Sequence, residues 1–109
     1  MFQPTGFLLT HGAGSDRNHS SLVALEERLS PLVVERVDFP YRQEGRRFPD
    51  RVMKLVDFVE DTARELVTET CVESGELVLG GRSMGGRVCS MAVARGLPSA
   101  GLVLISYPL

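Results

Sequence analysis

Glu76-Leu77-Val78-Leu79-Gly80-Gly81-Arg82-Ser83-Met84-Gly85-Gly86 decides the fold. It opens as an apolar run of strand length and closes on the pattern G-x-S-x-G, leading into a stretch with helical character. Strand, sharp turn and helix in that order lift a serine oxygen clear of a sheet edge. Only glycine tolerates the close approach of strand and helix around such a turn. Ser83 is therefore the candidate nucleophile. A serine here could also cap the following helix, but a cap does not need the glycine pairs Gly80-Gly81 and Gly85-Gly86 on both sides.

Upstream, Gly6-Phe7-Leu8-Leu9-Thr10 is a second apolar run, ending in the turn residues His11-Gly12-Ala13-Gly14-Ser15-Asp16. Acyl transfer needs backbone N–H groups aimed at the oxygen that turns negative in the tetrahedral intermediate. Met84, next after the nucleophile, supplies one, and Gly12 and Ala13 are the expected source of another. The bland alternative is an ordinary glycine-rich strand-to-helix turn. Nucleotide motifs fail on inspection. Gly12-Ala13-Gly14 is followed by Arg17 where a dinucleotide fingerprint needs a small residue, and after Gly81–Gly86 Arg87-Val88 replaces the Lys and Ser/Thr of a phosphate loop.

Between these motifs the chain alternates. A helix is expected from Ser20 or Ser21, with Leu22, Leu25 and Leu29 on one side and Pro31 ending it. A β-branched strand follows over Val33–Phe39, stopped by Pro40, and Tyr41–Phe48 reads as a charged loop. From Pro49-Asp50, Val52, Leu55, Val56, Val59, Ala63, Leu66 and Val67 fall at helical spacing. After the serine turn come a helix to about Arg95, the break Gly96-Leu97-Pro98, and a last strand from Gly101 to Ser106. Four strands alternating with three helices predict an α/β fold: one domain over residues 1–109, a parallel sheet with helices on both faces. His11, the loop after Phe39, Ser83 and Ser106-Tyr107 then leave the carboxyl ends of strands, the edge where such sheets bind ligands.

The bulk numbers exclude several classes. With 109 residues, 43% hydrophobic and 24% charged, the chain has the composition of a folded domain. A net charge of -2 gives no general attraction to nucleic acid, and no apolar run approaches a bilayer span. No secretory signal is visible at the N-terminus, so the expected compartment is the cytoplasm and Asn18-His19-Ser20 is a chance glycosylation match. Cys71 and Cys89 lack metal-type spacing and are expected as reduced thiols. No metal or cofactor is expected.

Arg42, Arg46, Arg47 and Arg51 cluster after a strand end. They are either a solvated loop or, with His11, a cationic rim suited to a small acyl substrate bearing an anionic group. His19 is expected at the surface or as a helix cap. A serine also needs a base and a carboxylate to orient it. Met84–Leu109 contains no Asp, Glu or His, and His11 would lie on the oxyanion side of Ser83 rather than behind its hydroxyl.

Four ordered blocks carry a family resemblance: Leu9-Thr10-His11-Gly12-Ala13-Gly14-Ser15; Asp38-Phe39-Pro40-Tyr41-Arg42 with Gly45-Arg46-Arg47-Phe48-Pro49-Asp50; Gly81-Arg82-Ser83-Met84-Gly85-Gly86-Arg87; and Ile105-Ser106-Tyr107-Pro108-Leu109. From about Gly6 onward the chain resembles small α/β-hydrolases related to dienelactone hydrolases. That group includes testis-expressed hydrolase-like proteins and the hydrolase-like domain of a nonspecific-lethal chromatin complex subunit. The resemblance implies a partial α/β-hydrolase fold, Ser83 as nucleophile and the His11-Gly12-Ala13 turn as oxyanion region. It also implies that the acid and histidine come from later strands, so the 109 residues are expected to be the N-terminal part of a domain, truncated at its C-terminus. The alternative is a non-catalytic scaffold that offers a protein partner its open sheet edge, since an uncovered apolar strand is a liability proteins rarely leave bare.

Overall fold

The computed structural model describes residues 6–70 and 72–106. Cys71 and the Tyr107-Pro108-Leu109 block lie outside the described residues. The elements in chain order are β1 (Gly6–Thr10), α1 (Ser20–Leu29), β2 (Val33–Arg36), α2 (Pro40–Gln43), α3 (Val52–Thr70), a 3₁₀ turn (Ser74–Glu76), β3 (Leu77–Arg82), α4 (Met84–Ala94) and β4 (Gly101–Ile105). All pairings are parallel, in the order β2-β1-β3-β4.

Side-chain alternation along the strands assigns the helices to faces. Leu8, Leu77 and Leu79 turn to one side and pack with Leu55, Val56, Val59, Ala63 and Leu66 of α3 and Val88, Cys89 and Ala92 of α4. Phe7, Leu9 and Val78 turn to the other and meet Leu22, Leu25 and Leu29 of α1. Each fully buried leucine contributes roughly 1.5–3 kcal/mol relative to exposure, so the two clusters hold the sheet from both sides.

The strand order has a consequence for function. From β1 the chain steps outward to β2, then crosses back over β1 to β3 and continues to β4. The direction reverses between β1 and β3, and in open parallel sheets ligands bind at the carboxyl end of such a switch point. Thr10 pairs with Gly81, so His11 and Ser83 emerge there side by side.

Two local expectations are corrected. β2 ends at Arg36 rather than Phe39, and Pro40–Gln43 forms a fourth helix where the sequence reads as loop. Pro40 starts this turn, because a fixed φ and a missing N–H suit the first helical position. Gln43 Nε2 donates to the Asp38 carbonyl oxygen at 2.8 Å and closes the turn from outside. Tyr41 is fully buried by this arrangement. Among the described residues no helix is long and apolar enough to cross a membrane.

Candidate active site

The close approach that the glycine pairs announce is present. A methyl group built on Gly81 would sit 2.3 Å from the Gly85 carbonyl carbon and 2.4 Å from Thr10 Oγ1, and one on Gly85 would sit 2.4 Å from the same hydroxyl. Real Cβ atoms do not approach so closely. β3, α4 and the end of β1 therefore meet backbone to backbone. Thr10, which the sequence did not single out, fills the junction: fully buried, its hydroxyl donates to the Gly80 carbonyl at 3.1 Å and touches Cys89 Sγ at 3.6 Å. Burial pushes the Cys89 thiol up to about 11, which leaves it an inert packing group.

Ser83 sits at φ 53°, ψ −114°, a left-handed φ that a non-glycine residue holds only when its surroundings impose it. Its N–H donates to the Ile105 carbonyl at 2.7 Å, which ties the turn to β4. Its side chain makes no capping hydrogen bond to α4, so the capping alternative does not describe it. The helix begins with Arg87 N–H bonding the Ser83 carbonyl at 3.2 Å. Met84 therefore has an amide without an intrahelical acceptor, at the positive end of the α4 dipole.

Across the crevice, a methyl built on Gly12 would lie 3.6 Å from Ser83 Cβ; the two turns are in contact. Carbonyl oxygens of the first turn are tied back. Gly12 O accepts from Ser15 N–H at 3.1 Å and from His11 Nδ1 at 2.7 Å, and Ala13 O accepts from the Tyr41 hydroxyl at 2.6 Å. The Gly12 and Ala13 N–H groups donate to nothing among the described residues. Fixing carbonyls while leaving amides free is how a turn becomes a donor site.

His11 is not on a rim. It is fully buried, edge-on to Phe39 at 4.9 Å between centroids. Nε2 accepts from the Phe39 N–H at 3.0 Å, so Nδ1 carries the proton it gives to Gly12 O. Burial lowers its pKa, and the neutral ring is fully committed to backbone. It has neither a free lone pair nor access for deprotonating Ser83.

The expected cationic rim is largely self-neutralised. Arg46 donates to Glu44 at 2.6 Å and Asp50 at 3.1 Å; Arg42 lies 3.9 Å from Asp16 and donates to Arg46 O. Arg47 is exposed and unpaired among the described residues. His19 does cap α1, its Nδ1 accepting from Ser21 N–H at 3.1 Å. A cleft of about 470 Å³ beside Arg36, Asp38 and Glu69 does not have Ser83 in its lining. Among the described residues no three His, Cys, Asp or Glu side chains are grouped to hold a metal.

Comparison with known proteins gives a consistent family. The alpha/beta hydrolase domain family matches residues 3–109. Of solved structures, a Xanthomonas campestris pv. campestris protein assigned to the hydrolases of the alpha/beta superfamily superposes with a TM-score of 0.71 at 25% identity, over 95% of this chain and 59% of that one. YahD with malic acid gives 0.72 at 16% identity (95% and 58% covered), and a bacterial heroin esterase gives 0.65 at 20% (98% and 36%). The chain thus spans about three-fifths or less of each of these neighbours. No curated protein sequence matches it.

Proposed function

The chain belongs to the alpha/beta hydrolase domain family, and on that premise we propose that it carries the nucleophile and oxyanion donors of a serine hydrolase acting on an ester, thioester or lactone. The observation that carries the reading is the contact of two turns at the sheet's switch point: Ser83, held at positive φ, against Gly12, with the Gly12 and Ala13 amides unspent.

Ser83 Oγ attacks the carbonyl carbon of the acyl group and its proton passes to a base. The carbonyl oxygen takes up negative charge between the Met84 amide and those of Gly12 and Ala13. The intermediate collapses, the bond to the leaving oxygen or sulfur breaks, and the leaving group takes the proton. Water then releases the acyl group as an acid by the same steps. With His11 committed and no Asp, Glu or His after Ser83, we place the base and its orienting carboxylate on polypeptide outside these 109 residues. The 109-residue chain alone should then retain only roughly 10³–10⁴-fold acceleration over water.

A fluorophosphonate reporter tests this in the full-length context. Covalent label on Ser83, lost in Ser83→Ala, is the expected result; an unlabelled Ser83 in a folded protein sinks the reading. A burst of ester hydrolysis from residues 1–109 alone, abolished by Ser83→Ala, would instead show that no further segment is needed. The second reading, a scaffold, is favoured by one feature: Leu102 and Leu104 of β4 stand 38% and 41% exposed, an apolar strip that a protein partner could cover.

A further inference from the structure

Arg82 immediately precedes Ser83, and its guanidinium lies against the oxyanion turn: a methyl built on Gly12 would be 3.7 Å from Arg82 Nη1 and 3.6 Å from Ser83 Cβ. The missing side chain at Gly12 leaves a gap bordered by Ser83 Cβ, the Arg82 guanidinium and, at 3.6 Å, the Arg82 carbonyl oxygen. All three distances are ordinary van der Waals spacing, so a methyl group fits there without a clash.

The charge state of that cation sets it apart. Arg17, Arg36, Arg42, Arg46, Arg64 and Arg95 all have carboxylate partners within 4 Å. Arg28, Arg47, Arg51 and Arg87 have none but are exposed, where water solvates them. Among the arginines, Arg82 alone is half-buried with a side chain that makes no hydrogen bond or ion pair among the described residues. A guanidinium partly withdrawn from water with no counter-charge is unfavourable, and its planar fork matches a carboxylate bidentately. The site supplies the cation; an anion must come from outside.

Resting on Ser83 as nucleophile, we propose that Arg82 is a specificity residue that selects substrates whose short acyl chain ends in a carboxylate, that is, half-esters or half-thioesters of dicarboxylic acids. The carboxylate docks on Arg82, the chain crosses Gly12, and the carbonyl at its other end meets Ser83. This differs from a general cationic rim, because Arg42 and Arg46 are already matched to Asp16, Glu44 and Asp50.

The test separates recognition from chemistry. Succinamate and succinamide have equal length, resist hydrolysis and differ in one charge; each is titrated into the full-length protein by NMR. We expect succinamate to bind at least about tenfold more tightly, with the advantage shrinking as salt is added. Arg82→Gln should abolish the preference, Arg82→Lys should restore part of it, and Ser83→Ala should keep it. Gly12→Ala, which fills the gap without a forced clash, should weaken succinamate binding in a folded protein. Equal binding of the two amides, or a preference that survives Arg82→Gln, overturns the proposal whatever Ser83 does. So does a loss of fluorophosphonate labelling in Arg82→Gln, which would make Arg82 an oxyanion stabiliser instead. Charge preference without any Ser83 labelling in the wild type would sink the hydrolase reading while leaving Arg82 as an anion site.

Discussion

β3 and β4 lie side by side in register from Val78–Gly101 to Arg82–Ile105, and Leu77-Val78-Leu79 is no more apolar than Leu102-Val103-Leu104-Ile105. Yet β3 is buried at every position from Leu77 to Gly81, whereas β4 is intermediate and exposed by turns. Burial is therefore a property of what surrounds a strand and not of its composition. β3 has β1 and β4 as neighbours and helices across both faces; among the described strands β4 pairs on one side only. The site hangs from the enclosed strand, where every backbone position is determined from several directions. The strained Ser83 φ can persist because Gly81, Gly85 and Thr10 leave the turn no alternative.

The contrast is most open to attack at the glycines. Gly81→Ala should cost upwards of about 3 kcal/mol, since its Cβ would meet backbone at 2.3 Å and neither β3 nor α4 can move away. Gly14→Ala, where nothing lies within 4 Å, should change stability by less than about 0.5 kcal/mol. Urea unfolding of both variants measures the difference, and equal costs would mean that the packing around the Ser83 turn is not rigid. Next in size, Leu79→Ala should lose about 2–5 kcal/mol from a fully buried site.

His11 sharpens the same point through pH. Its ring is neutral and buried, with a pKa below 6.5 because burial disfavours the cation. The unfolded chain binds that proton more readily, so the contribution is complete above about pH 6.5 and is lost as pH falls below it. His11→Ala should abolish this part of the pH dependence and cost about 1–3 kcal/mol from the orphaned Phe39 amide alone. A stability profile from pH 7 to 5 that is identical in wild type and variant would show that the imidazole is not clamping the two turns.

These residues also mark what could be read in advance. The four strands, α1, α3, α4 and the turn at Ser83 all follow from local pattern, because each is specified by residues within a few positions of one another. The buried state of His11 and Tyr41 is not local: their hydrogen bonds to Phe39 N–H and Ala13 O each span 28 positions. A histidine in a glycine turn therefore looks like a site residue until its partner is seen. The basic loop misleads in the opposite way. Glu44 and Asp50, which neutralise Arg46, sit two and four residues away, and weighing them would have discounted the rim. Arg82 was hidden inside the G-x-S-x-G pattern at a position that the pattern leaves free. The one available clue was a charge at the end of an otherwise buried strand.

The smallest effect is expected on β4. Leu104→Lys places a charge on a side chain already 41% exposed, where a flexible stem can carry the ammonium into water. The stability loss should stay under about 1 kcal/mol, against several for the same change at Leu79, which has no route to solvent. The variant also bears on the two functional readings. A lysine on an edge strand opposes pairing with other chains, so on the scaffold reading Leu104→Lys should weaken association with a partner in sedimentation while leaving Ser83 labelling unchanged. A Leu104→Lys protein that unfolds as readily as a Leu79 variant would show that β4 is enclosed in solution. In that case the difference between the two strands would vanish, and with it the apolar strip on which the scaffold reading depends.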